Sequence, residues 1–523
     1  MINMTCLLYK ASGQTNLIFL SCRFHMSNFI IVIKMNEDMN LFGLYNINPC
    51  NMIGRFSVRI ARFIRSKILL LFVCVFMLPA IQRCVSPGHD LEPGQELSGE
   101  DWPQWRGPSS NGVSSEANLP ARWSTDSNIV WKVALVGLGG SSPIVLGNRV
   151  FVTSQVGTAT IRGGSHPQLA RDDPSLVVQE NPMGGRRSEP GEDDSEVLLV
   201  VEAFNLSNGK KLWDYRARAA GPLPELHEYH NLATPTPVSD GEHVYALFGN
   251  GLIVCLDMDG NLVWSRHLGR EYSPFDIQWG HGSSPVLYND KVILLCDHER
   301  ASYLLALDKM TGEEQWKKDR GKGKVSFSTP VVVPGPEGDE LVINSSERID
   351  AYNPADGELL WYIGSERQSP IPTPVFHDSV IYMSRGYRNS DFLAILPGGR
   401  GEVTESHTLW RTPSGASYVP SIIYYDGLLY MTSDAGILTC ADAGTGKQVW
   451  RQRLRGVFFA SPAAGDGKVY LVSETGETIV VQAGREPKIL SRNDLGERLI
   501  ASAAISGGHI FLRSDENLFC IGK

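Results

Sequence analysis

One unit recurs along this chain, and a recurring unit constrains a fold more than any single motif. It reads [S/T]-x-P-V…V-Y…L-x-A-x-D-x-x-T-G-x-x-x-W. One clear copy is SSPVLYNDKVILLCD…YLLALDKMTGEEQW, ending at Trp316. Another is VPSIIYYDGLLYMTSDAGILTCADAGTGKQVW, ending at Trp450. The leading prolines are Pro143, Pro237, Pro285, Pro330, Pro374, Pro420 and Pro462; after the first interval they fall 48, 45, 44, 46 and 42 residues apart. An eighth, degenerate copy begins near Ala503.

Each copy predicts four short strands, A to D. In the sixth, A lies near 419–425, B near 428–433, C near 437–441 and D near 447–454. Alternating apolar residues broken by Asp-Gly, Asn-Gly and Thr-Gly turns are hairpin signals, and Asp259-Gly260 is the tightest such turn. A four-stranded unit of about 40–50 residues is a propeller blade. Seven of the 11 tryptophans take the strand-D position: Trp131, Trp213, Trp264, Trp316, Trp361, Trp410 and Trp450. Leu490 replaces the tryptophan in the seventh full copy. Rings of that size are expected to pack between neighbouring blades.

Residues 129–135, IVWKVAL, read as a strand D with no A, B or C before it. The last copy has A, B and C but no D. Pairing the two makes an eighth blade from both ends and leaves no open edge. The expected fold is all-β: an eight-bladed β-propeller of four-stranded blades, the last closed by an N-terminal strand. The same register puts Cys255, Cys440 and Cys520 in the strand-C slot that Ala306 and Ala351 hold elsewhere, where a small buried residue is wanted. Cys255 and Cys440 fall on opposite sides of such a ring. A disulfide needs Cα atoms within about 7 Å, so that pair is excluded.

The ends of the chain differ in charge. Residues 1–84 carry nine Lys/Arg and two Asp/Glu, while the remainder carries 39 basic and 55 acidic residues. An acidic body repels phosphate backbones, which argues against nucleic acid as a partner. The run ILLLFVCVFMLPA at 68–80 follows Arg55, Arg59, Arg62, Arg65 and Lys67. A basic segment before a short apolar core is the pattern of a secretory signal, or of an N-terminal membrane tether. Met52 starts a signal of ordinary shape, so 1–51 reads as a leader or an early start. The expected organisation is leader (1–51), signal or anchor (52–84), linker and N-terminal arm (85–128) and propeller (129–523). Residues 157–196, rich in Gly, Pro and charge, read as a mobile insertion in blade 1. The expected location is outside the cytoplasm, periplasmic or associated with the cell envelope.

The repeats resemble those of the pyrroloquinoline-quinone (PQQ)-like propeller family, which includes quinoprotein dehydrogenases and the outer-membrane β-barrel assembly lipoprotein. DWPQWRGP (Asp101–Pro108), WGHGSSPV (Trp279–Val286) and RSDENLFCIG (Arg513–Gly522) are similar to phrases in secreted bacterial PQQ-like repeat proteins. The resemblance covers roughly 101–523. For quinoprotein dehydrogenases it implies PQQ above the channel, a Ca²⁺ held by oxygen ligands, an Asp base and an adjacent-cysteine disulfide. This chain has no adjacent Cys pair, and the metal and base motifs of that group are not found. No cofactor is expected on this reading; PQQ with calcium belongs to the alternative of a quinoprotein oxidoreductase. GLGGSS at 137–142 enters a strand rather than a helix, so it is no phosphate loop. His227-Glu228-Tyr229-His230 reads as a polar loop rather than half a metal site.

Strands in a blade alternate direction, so D-to-A and B-to-C connections share one face. The long segments lie mostly there. Residues 216–233 and 269–282 carry His227, His230, Tyr272, Phe275, Asp276, Trp279 and His281; SRGYRNSD at 384–391 adds Arg385, Tyr387 and Arg388. Aromatic, His and Arg residues around a channel mouth suit a binding site. The candidate ligand-binding residues are therefore His227, His230, Tyr272, Asp276, Trp279, His281, Arg385 and Arg388. The expected function is a non-catalytic scaffold that binds a protein, small-molecule or glycan ligand on this face. A carbohydrate-binding accessory is a further alternative.

Overall fold

The computed structural model describes residues 101–157, 161–162, 197–220, 223–224, 226–227, 229–364, 369–386, 391–413 and 415–522, together with the backbone of four earlier strands. The chain divides into two compact units, Met1–Gln95 and Glu96–Lys523. In the first, Thr5–Lys10, Leu17–Phe24, Ser27–Lys34 and Leu44–Asn46 form an antiparallel sheet in chain order. The apolar run 68–80, most of the 157–196 insertion, Tyr387 and Arg388 lie outside the described residues. Among the described residues no helix is long and apolar enough to cross a membrane.

Eight blades of four antiparallel strands make up the second unit among the described residues. Blade 3 is typical: Val286–Tyr288, Lys291–Cys296, Ser302–Asp308 and Glu314–Gly321 pair in that order. In blade 6 the strands are Ile423–Tyr425, Leu428–Thr432, Ile437–Asp442 and Gln448–Arg453. Blade 8 takes Ala504–Ser506, His509–Arg513 and Asn517–Ile521 from the end of the chain and Ile129–Ala134 from before blade 1. Asn517 faces Ala134 and Cys520 faces Trp131, so the closing strand runs antiparallel to strand C as in every other blade.

The tryptophan register explains both the cysteines and the turn glycines. Trp264, Trp450 and Trp131 face Cys255, Cys440 and Cys520, just as Trp316 and Trp361 face Ala306 and Ala351. Only a small side chain fits opposite so large a ring. The indole then crosses to the next blade: Nε1 of Trp131, Trp213, Trp264, Trp410 and Trp450 donates to Leu206, Met258, Lys309, Ala443 and Gly484 carbonyls at 2.8–3.0 Å. Its face lies under that blade's C-to-D turn. At Gly260, with φ 85°, a Cβ would sit 2.6 Å from the Trp213 ring. Glycine is needed there for the positive φ and for the close approach alike. Trp361 breaks the rule because blade 5 replaces the turn with a longer excursion. There Gly401–Glu402 adds a fifth, parallel strand to blade 4, and Trp361 Nε1 donates to Glu340 at 2.8 Å.

A second ring of hydrogen bonds runs around the inner strands, at the residue before most of the leading prolines. Backbone N–H groups donate to the next blade's hydroxyl oxygen: Ser142 to Thr236, Thr236 to Ser284 and Ser284 to Thr329, each at 3.0 Å. On the other side Thr373 donates to Ser421, Ser421 to Ser461 and Ser461 to Ser502, at 3.0, 2.9 and 2.8 Å. Blade 6 differs from the repeat as read from the sequence, since Pro420 precedes its ring hydroxyl instead of following it. The hydroxyl, not the proline, keeps register. Ser421→Ala would leave the buried Thr373 N–H without an acceptor. The expected loss is about 1–3 kcal/mol, measurable by urea unfolding.

The segment read as linker and arm threads the ring's centre over its described part. Trp102 exchanges backbone hydrogen bonds with Val145 in the inner strand of blade 1, at 2.8 and 2.9 Å. The Pro103 carbonyl accepts from Ser239 of blade 2 at 2.9 Å. Trp105 Nε1 donates to Thr373 of blade 5 at 3.0 Å, and Arg106 Nη2 to the Ile422 carbonyl of blade 6 at 2.7 Å. Further on, Gly112 and Ser114 bracket Ala464 of blade 7, and Glu116 accepts from Gly507 and Gly508 of blade 8. The arm thus enters on the A-to-B turn face and stops the channel before turning out to become the closing strand.

Candidate functional site

Plugging one end of the channel leaves a cup on the other. The D-to-A loops rise around a cavity of about 1160 Å³, counting its open mouth. The inner-strand hydroxyls of Thr236, Ser284, Thr329, Thr373, Ser421, Ser461 and Ser502 line it together with Trp105. Aromatic side chains stand above them in two groups. His227, Tyr229 and Phe459 form one, with centroids 5.4 Å and 4.9 Å apart. Trp279 and Phe327 form the other, 6.1 Å apart. Tyr418, Val419, Ile371 and Ile500 complete the apolar lining.

Trp279 holds an unusual backbone. Its φ is 77°, in the left-handed region that a bulky residue avoids. Gly280 follows at φ 95°, and a Cβ there would lie 2.6 Å from His230 Nδ1. The double turn sets the Trp279 ring into the mouth and lets the chain pass close over His230. Strain of this kind persists only where the surroundings impose it, and it gathers at binding sites.

Among the described residues the lining carries no Asp, Glu, Lys or Arg. Its imidazoles add no charge at neutral pH where a shift is resolved: burial, with the nearby His281 and His227, lowers the His230 pKa to about 3. Arg498 lies over the Tyr229 ring at 5.2 Å, and Glu474 and Asp515 hold it at 2.9 and 3.1 Å. The mouth is therefore an apolar cup with hydroxyl groups at its floor.

Of the residues read from the sequence, the structure brings His227, His230 and Trp279 into the cavity wall. His281 lies behind the wall, 1% exposed, its Nδ1 3.2 Å from His298 Nε2 and its Nε2 donating to the Ser283 carbonyl at 3.1 Å. Tyr272 sits away from the mouth, with its hydroxyl donating to Glu314 at 2.5 Å. Asp276 pairs with Arg300 at 2.7 Å. Arg385 is buried and tied to Asn344 and to the Ser345 carbonyl, joining blades 4 and 5. Arg388 lies outside the described residues. Sequence reasoning missed Trp105, Tyr229, Phe327, Tyr418, Phe459 and the hydroxyl ring. The ring had a signal: the variable position of [S/T]-x-P is itself Ser or Thr in most copies.

Comparison with known proteins follows the same geometry. A family model described as outer membrane protein assembly factor BamB matches residues 199–423 and 401–485, more than half of the chain. Tetrathionate hydrolase of Acidithiobacillus ferrooxidans is 24% identical over 374 residues, covering 66% of this chain and 65% of its own length, so the chain spans just under two thirds of that relative. BamB of Yersinia pestis is 22% identical over 301 residues, 54% of this chain and 71% of that one. Among solved structures, BamB from Moraxella catarrhalis aligns with TM-score 0.50 at 14% identity, over 76% of this chain and 97% of its own. A europium-containing methanol dehydrogenase aligns with TM-score 0.57 at 11% identity, over 81% and 98%. At such identities the structural likeness speaks for the propeller alone. With eight blades, the repeat register and the matched profile together, this chain belongs to the PQQ-like propeller family described as outer membrane protein assembly factor BamB.

Proposed function

We propose that the chain is an exported, non-catalytic binding propeller that takes an uncharged, apolar segment of a protein partner into its channel mouth. The observation that carries this reading is the cup itself: aromatic walls, a hydroxyl floor and, among the described residues, no charged side chain in its lining. Such a site gains from burying apolar surface, and its described residues lack the groups that would hold an ion. The name assembly factor, borne by the BamB relatives, supports a protein partner. The basic stretch before the apolar run 68–80 supports export.

The described residues at the mouth do not fit PQQ. That cofactor carries several carboxylates, and its calcium asks for 6–8 oxygen ligands including carboxylates. Among the described residues the lining offers hydroxyls, phenols and imidazoles, with neither a cation for the cofactor nor a carboxylate for the metal.

A photo-crosslinking residue in place of Phe327, at the mouth, is expected to capture one envelope protein. The same residue in place of Asp259, on the opposite face, is not. Trp279→Ala in the Phe327 variant should cut capture at least tenfold while leaving the unfolding midpoint unchanged, since a buried tryptophan anchor is commonly worth about 2 kcal/mol or more. Equal capture from both faces, or capture indifferent to Trp279, would sink the proposal. Glycan in place of protein at position 327 would favour the carbohydrate reading. Tight uptake of PQQ with Ca²⁺, seen as bound-cofactor absorbance, would favour the oxidoreductase.

A further inference from the structure

Four arginines are buried among the described residues: Arg106, Arg320, Arg385 and Arg513. Three have a carboxylate to answer them. Arg320 is gripped by Asp297 at 2.7 Å and Asp350 at 3.1 Å. Asp391 acts on Arg385, and Glu202 on Arg513. Arg106, 3% exposed, has no such partner among the described residues. Burial alone lowers its pKa, to about 9, which leaves the guanidinium charged at neutral pH.

The local geometry encloses that charge. Arg106 belongs to the arm that stops the channel, next to Trp105. Its Nη2 is committed to two carbonyls, Asn111 and Ile422, both at 2.7 Å. Gly112 N donates back to the Arg106 carbonyl at 2.8 Å, so the arm curls around the side chain. A Cβ on Gly112 would come 2.8 Å from Nη2 and 3.1 Å from the Pro462 carbonyl. The guanidinium is thus held between the arm and the inner strands of blades 6 and 7. Nε and Nη1 are buried and have no acceptor among the described residues.

Folded proteins pair a buried charge or hydrate it, because an isolated one is too costly. We propose that the blocked channel encloses a small monovalent anion of the halide class, held by the Arg106 guanidinium. A two-oxygen anion grips two adjacent nitrogens of the fork. Here Nη2, the nitrogen common to both edges on which such pairs form, is already spent. The N–H groups on Nε and Nη1 point away from each other, so an anion meets one of them alone, and a single contact suits a one-centre anion. The assignment does not depend on what the mouth of the channel binds.

Two readouts on the intact exported chain test it. Crystals grown in bromide should show an anomalous peak in hydrogen-bond contact with the Arg106 guanidinium. Replacing gluconate by chloride at matched ionic strength should raise the melting temperature by about 2–4 °C, as expected of a ligand that binds only the folded state. Arg106→Gln should abolish both effects. If that variant does not fold, the wild-type measurements decide alone. A guanidinium surrounded only by water in bromide, with the same melting temperature in both salts, would overturn the proposal.

Discussion

Trp131→Ala is expected to lower the stability of the propeller by about 3–5 kcal/mol, the range for truncating a buried tryptophan. The residue is 8% exposed and sits on the one strand, Ile129–Ala134, that joins the last three strands of the chain. Its ring packs on Phe511 at 6.0 Å and under the blade 1 turn, where a Cβ on Gly209 would be 2.7 Å away. Its Nε1 donates to the Leu206 carbonyl at 2.8 Å. One side chain therefore holds blade 8 to its closing strand and blade 8 to blade 1. Losing it removes buried area, orphans a carbonyl and weakens the seam at which a ring can open. Trp316 is the control. It holds the same register in blade 3, yet it is only half-buried and its Nε1 has no partner among the described residues. Trp316→Ala should cost at least about 1 kcal/mol less. Denaturant unfolding of both variants, with tryptophan fluorescence and far-UV circular dichroism followed together, makes the comparison. Equal midpoints would mean that the seam is not where the ring is weakest.

The repeat was legible because it is written locally and eight times over. Alternating strands, Thr-Gly turns and strand-D tryptophans each follow from contacts within a blade or with the next one. The Cys255–Ala306–Ala351–Cys440–Cys520 slot could be read for the same reason, since every copy poses one steric problem opposite one ring. The site was only partly legible. Grouping loops by face put His227, His230 and Trp279 together, and all three line the cavity wall. Loop face does not say which way a side chain turns, however, and His281 and Arg385 turn inward to hydrogen-bond partners within the protein. Trp105 and Arg106 were out of reach for a different reason. The arm has no period, and its partners at Thr373 and Ile422 lie 268 and 316 residues away. Its motif marked a resemblance without revealing that the segment crosses the channel.

Acidification should destabilise the fold well before its carboxylates protonate, and the cause lies directly behind the mouth. His281 and His298 are buried, share one hydrogen bond and pack on Phe275 at 4.9 and 4.4 Å. Because His281 Nε2 donates to the Ser283 carbonyl, its Nδ1 accepts from His298 Nε2, and both rings are neutral. His298 Nδ1 is left as a buried lone pair with no donor among the described residues. Burial lowers the His281 pKa from 6.5 to about 4, and burial with the nearby His281 holds that of His298 well below 6.5. The unfolded chain thus binds protons below about pH 6.5 that the folded chain refuses, so stability is intact above that pH and falls as pH drops towards 4. His281 alone should contribute a loss of about 3 kcal/mol by pH 4, and His298 adds to it. Asp214, Asp240 and Glu271 have folded pKa values lowered below the carboxylate range. Their stabilisation is present above that range and is lost only further into acid; Glu340, whose pKa burial raises, works the other way as pH falls and offsets part of the imidazole loss between about 6.5 and 4.5. Urea unfolding at pH 7, 6, 5 and 4.5 should show a slope approaching about 1.4 kcal/mol per pH unit for each histidine. His281→Asn should begin less stable at pH 7 and lose less on the way down. A flat wild-type profile over that window would mean that the pair is not held neutral. Trp279 lies two residues from His281 on the same turn, so hydrogen exchange at 275–282 should rise with acid before exchange in the blade strands does.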